Sequence, residues 1–196
     1  MRRACLFTGL ALLPLGLIAS DMGMTGHMVA HMTAVAVAAP LIAFGISGTR
    51  ADPAMRLPHI VAPMAMMLVE LATVWLWHLP TLRAAAHGSW MVMAIEQACF
   101  LVAGLLLWSS VLHAPQRIAG IGALLLTSMH MTLLGVLIGL SPRPLYVHHG
   151  TYFGLDVLAD QQLGGVIMLV IGGASYMIGG LVLLAGLLKA REDAPA

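Results

Sequence analysis

Long apolar runs broken by short clusters of glycine, proline and charged residues set the pattern of this chain. A bilayer core about 30 Å thick takes roughly 20 apolar residues per helix. Six stretches meet that length, at about residues 4–20, 27–48, 58–78, 90–112, 118–140 and 161–188. Between them lie the punctuating segments expected of interhelical loops: Gly48-Thr49-Arg50-Ala51-Asp52-Pro53, Leu79-Pro80 through Gly88-Ser89, His113-Ala114-Pro115-Gln116-Arg117, and the longest, Ser141-Pro142-Arg143-Pro144 to Asp160. The pattern predicts an all-α fold, an integral membrane helical bundle of about six transmembrane helices. Residues 1–196 form a single transmembrane domain with 190–196 as a cytoplasmic tail. The first run, 1–20, reads either as a retained helix or as an uncleaved signal-like segment. Its basic start Met1-Arg2-Arg3 fits both, while Ile18 before Ala19-Ser20 spoils the small-x-small cleavage pattern.

Composition agrees, with 60% hydrophobic and only 9% charged residues. That balance lies outside the soluble range and leaves no basic face for nucleic acid. Cys5 and Cys99 sit in separate apolar runs with no CxxC spacing, so neither a disulfide framework nor a zinc-type motif is expected. Charge placement says more than net charge. With both termini cytoplasmic, the inner side collects Arg2, Arg3, Arg50, Arg56, Arg117, Lys189 and Arg191, against Arg83 and Arg143 outside. This is the bias of the positive-inside rule.

That topology sorts the histidines. His27, His31, His78, His87, His148 and His149 fall at the outer side with Asp21, Asp156 and Asp160. His59 and His113 fall at the inner side, and His130 lies near the middle of the fifth span. His27 and His31 are one helical turn apart and share a face, with Met24, Met28 and Met32 close by. Imidazole with thioether suits copper, above all Cu(I). Most of the 15 methionines need no such role, because Met is ordinary apolar filler. Histidines at the mouth of a membrane helix are costlier and more often functional.

His27, His31 and His78 are therefore the first candidate metal ligands, with His130 or a methionine such as Met168 to complete the set. Glu96, two turns into its span, is placed to accept a hydrogen bond from a metal-bound imidazole. Glu70 is deeper and is read as structural or proton-holding. Asp160 reads as the N-cap of the last helix. Asp160, Gln161 and Gln162 can also orient ligands across the outer mouth. No HExxH, Walker loop, GxSxG or paired-carboxylate array is present, so no enzymatic activity is expected.

These residues form a family pattern. His27-Met28-x-x-His31 leading to Ala39-Pro40-Leu41, Trp77-His78-Leu79-Pro80, Trp108, His130-Met131, Pro144-Leu145-Tyr146 and Asp160-Gln161-Gln162-Leu163-Gly164-Gly165-x-x-Met168 resemble the CtaG family of cytochrome c oxidase assembly factors. The similarity runs from about residue 22 to 185. The resemblance implies a non-enzymatic factor of the bacterial inner (plasma) membrane that works with haem-copper oxidase subunits and helps copper reach them. The chain departs from the pattern in its six spans, where members often carry more. It also has Glu96-Gln97 where a histidine-bearing stretch is common. Two other readings remain at this point: a copper transporter passing the ion inward through His130, Glu70 and His59 or His113, and a b-type haem membrane cytochrome.

Overall fold

The computed structural model describes residues 1–114, 117–146 and 154–193, with the side chains of 191 and 192 excluded. Eight helices follow in order: α1 (Arg2–Ala19), α2 (Gly23–Ile46), α3 (Pro53–Arg56), α4 (Pro63–Trp77), α5 (Pro80–Gly88), α6 (Trp90–Leu112), α7 (Arg117–Gly139) and α8 (Val157–Ala190). Among the described residues five are long and apolar enough to cross a membrane, and the bent pair α4 and α5 brings the number to six when taken as one span. The all-α membrane bundle expected from the pattern is what the chain forms.

Two departures from the expected elements matter. The third span stops at Trp77 and the chain turns through 71° into α5, within a segment expected to be a loop. Pro80 is the cause: it has no N–H to continue the helix, but it is well placed at the start of a new one. The last helix begins at Val157 rather than near 161, because Asp156 is its N-cap and accepts from Ala159 N at 2.8 Å. Asp160, expected to hold that position, lies in the first turn and caps a different helix.

Helix α2 forms the centre, packed on α1, α6 and α8, while α4 lies against α6 and α7. Small residues permit these approaches. Gly165 crosses α7 so closely that a Cβ there would lie 2.5 Å from Gly139 N and 2.7 Å from Gly135 O. Its neighbour Gly164 faces the other way, where a Cβ would sit 3.2 Å from Cγ of both Met24 and Met28. Gly172 likewise meets Met32 Sδ, at 3.0 Å. The methionine stripe of α2 thus packs on the glycine face of α8.

Both α2 and α8 widen into π-helical turns, at Thr33–Ala38 and Met168–Gly172. A π turn leaves carbonyls without their usual α-helical donors. Here side chains of α8 supply donors: Ser175 Oγ donates to Ala36 O at 2.8 Å and Tyr176 OH lies 3.3 Å from Val35 O. Tyr176 also makes a short hydrogen bond to Glu70 of α4. Tyr176 thus links Glu70 of α4 and the π turn of α2 to α8.

The opposite end of α2 from the histidines is closed by Asp52. Its carboxylate accepts from Gly48 N at 3.0 Å, from Ala54 N at 3.1 Å and from Ser109 Oγ, and lies 3.4 Å from His113 Nε2. This network ties the 48–62 connection to the end of α6.

Candidate metal centre

The site starts from the first turn of α2. Gly23, with φ of +70°, turns the chain into the helix. The leading amides of a helix have no acceptor within it, and here Asp160 of α8 accepts from Met24 N at 2.6 Å and Thr25 N at 3.1 Å. Thr25 Oγ1 donates in turn to Asp160 O at 3.1 Å. This cross-helix cap fixes the depth and rotation of the turn that carries His27 and, four residues on, His31.

His78 arrives from α4, at the break made by Pro80. Its Nδ1 lies 2.7 Å from Val74 O, and a carbonyl can only accept, so Nδ1 carries the proton and Nε2 keeps its lone pair. The break also frees the His78 carbonyl, which accepts from Tyr146 OH at 2.9 Å. Burial pushes the Tyr146 hydroxyl up to about 12, so it stays a donor at neutral pH. Tyr146 is held by Gln161, whose Oε1 accepts from Leu145 N at 2.6 Å and whose Nε2 donates to Ile138 O at 3.2 Å.

The three rings meet. His27, His31 and His78 each offer a nitrogen, and these atoms lie within 4.8 Å of one another. Metal–imidazole bonds of about 2.0–2.1 Å place ligand nitrogens roughly 3.5 Å apart. Closing by about an ångström, within the reach of small χ changes, would complete a three-nitrogen site. Phe100 of α6 forms one wall, stacked on His31 with ring centroids 3.9 Å apart. All three histidines are buried, His27 and His31 completely.

Four nitrogens of these rings, Nε2 of His27, both of His31 and Nε2 of His78, are buried without a partner, and His27 Nδ1 makes no hydrogen bond beyond its approach to Glu96. Each such atom costs about 1–3 kcal/mol. A group that satisfies several lone pairs at once resolves this, and a transition-metal ion bound by neutral imidazoles does so.

Beside the rings stands an ion pair that the sequence does not announce. Glu96 Oε2 lies 3.5 Å from His27 Nδ1, while Arg83 Nη1 donates to both carboxylate oxygens, at 3.0 and 3.3 Å. Arg83 sits on α5, which the bend folds back over the site, and it is only 6% exposed. With Tyr146 and His87 it lines a small pocket of about 20 Å³.

The remaining candidates are spread more widely. His130 is buried on α7 with both nitrogens unpartnered, outside the three-histidine cluster. Met168 is fully buried at the start of the π turn of α8. Gln162 is half-buried. His59 is exposed, His113 pairs with Asp52, and His148 and His149 lie outside the described residues. Phe100 and Arg83 are the site residues that sequence reasoning passes over. Phe100 carries no signal in the sequence, while Arg83 has one in being, with Arg143, one of two cations assigned to the histidine-bearing side.

The fold and the site define a polytopic helical membrane protein with a buried histidine cluster able to hold a metal ion. The family model for cytochrome c oxidase caa3 assembly factors (CtaG) matches residues 3–190, and the chain belongs to that family. No curated protein and no solved structure matches it significantly.

Proposed function

We propose that this protein handles copper during assembly of a haem-copper oxidase, binding the ion through His27, His31 and His78 at the outer face of the bacterial plasma membrane. The observation that carries the reading is the buried cluster of three rings with unpartnered nitrogens. The ligands are neutral imidazoles, and the one nearby carboxylate is already engaged by Arg83. A monovalent ion that accepts imidazole ligands, such as Cu(I), therefore fits at the least electrostatic cost. His130 and Met168 are reserve ligands, while Asp160 and Gln161 position α2 and the Tyr146 loop. The outer placement rests on the charge bias toward the opposite end.

The role is that of a non-enzymatic metal chaperone, with the oxidase subunits as clients. Phe100 packed against the rings supports holding and handing over above conduction through the bundle, the transporter reading. The three imidazole rings lie only 5.1–6.2 Å apart between centroids, too close for a porphyrin to pass between any two of them, which weighs against the haem reading.

The test is elemental analysis of detergent-purified protein loaded under reducing conditions, comparing wild type with the double variant His27→Ala/His31→Ala. About one copper per chain, lost in the variant, is the expected result when two principal ligands are removed. Copper that is absent from wild type, or unchanged in the variant, overturns the assignment.

A further inference from the structure

The end of the bundle away from the histidines carries a constellation that metal handling leaves unused. Beyond Ile46 the chain turns tightly around the buried Asp52, starting at Gly48 with φ of +74°. Asp52 holds this turn from inside, through Gly48 N, Ala54 N and Ser109 Oγ. Thr49 locks it further, since its Oγ1 donates to Ile46 O at 2.7 Å and accepts from Ala51 N at 3.2 Å. The turn is therefore a fixed frame, and what it leaves outside is basic. Arg50 and Arg56 are exposed and line one cavity of about 330 Å³ together with Met55. A third guanidinium is docked beside the same turn, where Arg2 Nη1 donates to Ser47 O at 3.1 Å.

Among the described residues no carboxylate forms an ion pair with Arg50 or Arg56. Like charges gathered on one turn repel. A phosphate relieves this, because the planar guanidinium fork matches its oxygens two at a time. Apolar side chains then narrow the choice of phosphate. Met55, Leu57 and Ile60 are each more than half exposed along the same connection. A free phosphate or a nucleic acid would satisfy the arginines and leave these three facing water. A phospholipid satisfies both, with its phosphate on the arginines and its acyl chains on the apolar side chains, at the level where the spanning helices end.

We infer that the connection between α2 and α4 binds one acidic phospholipid, its phosphate between Arg50 and Arg56 and its acyl chains against Met55, Leu57 and Ile60. The site needs neither copper nor an oxidase partner. It would fasten the Asp52 frame, and with it the lower end of α2, to the membrane surface.

The experiment titrates the full chain, purified in a non-ionic detergent, with phosphatidylglycerol, phosphatidylcholine or inorganic phosphate, and counts adducts by native mass spectrometry. The expected result is one phosphatidylglycerol retained per chain, with phosphatidylcholine held more weakly and inorganic phosphate not retained. Affinity for phosphatidylglycerol should fall about fivefold in Arg50→Gln or Arg56→Gln and about twentyfold in the double variant, as for cations near a membrane surface. Lys189→Gln, which removes an exposed cation near the end of α8, should leave it unchanged. Because all three side chains are exposed, unfolding temperatures without lipid should match wild type, and phosphatidylglycerol should raise them only where the arginine pair is intact. Binding that survives the double variant, that falls as far in Lys189→Gln, or that phosphatidylcholine or inorganic phosphate equals overturns the inference.

Discussion

Replacing Asp160 by alanine tests the geometry of the metal centre without touching a ligand. The carboxylate accepts two leading amides of α2, from Met24 and Thr25, in a fully buried position. Hydrogen bonds to a charged group contribute about 1.5–3 kcal/mol each, and both donors would be left unsatisfied inside the bundle. Asp160→Ala should therefore cost about 3–5 kcal/mol at the first turn of α2, more than a turn held otherwise by packing can absorb. That turn carries His27, so its fraying disperses the cluster. Copper affinity, measured by competition with a Cu(I) chelator, should fall at least about tenfold, the usual effect of losing support behind a ligand. Thermal unfolding in detergent should shift downward in parallel. Asp160→Asn keeps one acceptor oxygen and should fall between the two. If Asp160→Ala unfolds like wild type and binds copper as tightly, the cross-helix cap does not organise the site and the reasoning fails.

Two further predictions follow from the same geometry. Glu96→Gln keeps the size of the side chain but removes the charge facing His27 Nδ1, so copper affinity should drop about 10–100-fold while stoichiometry at saturation stays the same; an affinity equal to wild type would show that Glu96 serves Arg83 alone. Gly165→Ala forces a methyl against the backbone of Gly135 and Gly139, neither of which can move aside as a side chain would. That overpacking should cost about 1–3 kcal/mol or more and lower the unfolding temperature, whereas Gly122→Ala, which meets nothing within 4 Å inside α7, should leave it unchanged or raise it slightly.

What the sequence makes legible is what depends on local periodicity. His27 and His31 share a face because they are four residues apart, and the structure indeed brings them together with His78. The depth of His78 follows from the tryptophans and proline around it. Phe100 and Arg83 are different. Nothing within α6 marks Phe100 as a wall for imidazoles, and Arg83 reaches Glu96 only because the chain bends at Pro80. Proline marks the end of a helix reliably but is silent on whether another begins. Asp156 and Asp160 are four residues apart and chemically identical, so propensity cannot say which caps its own helix and which caps a neighbour. The π turns of α2 and α8 are equally hidden, since their sequences, TAVAVA and MLVIG, suit an α-helix just as well.

The π turn of α2 also divides that helix into two halves out of phase. A π turn amounts to one residue inserted into an α-helix, and one residue corresponds to about 100° of rotation. Above Thr33 the phase is set by Asp160 and presents the histidines. Below Ala38 it is set by the packing of Gly45 against Leu6 on α1. The inserted residue is the clutch between them, so substitutions that disturb the Gly45–Leu6 contact can be absorbed at the π turn instead of being passed upward as a twist of the three rings.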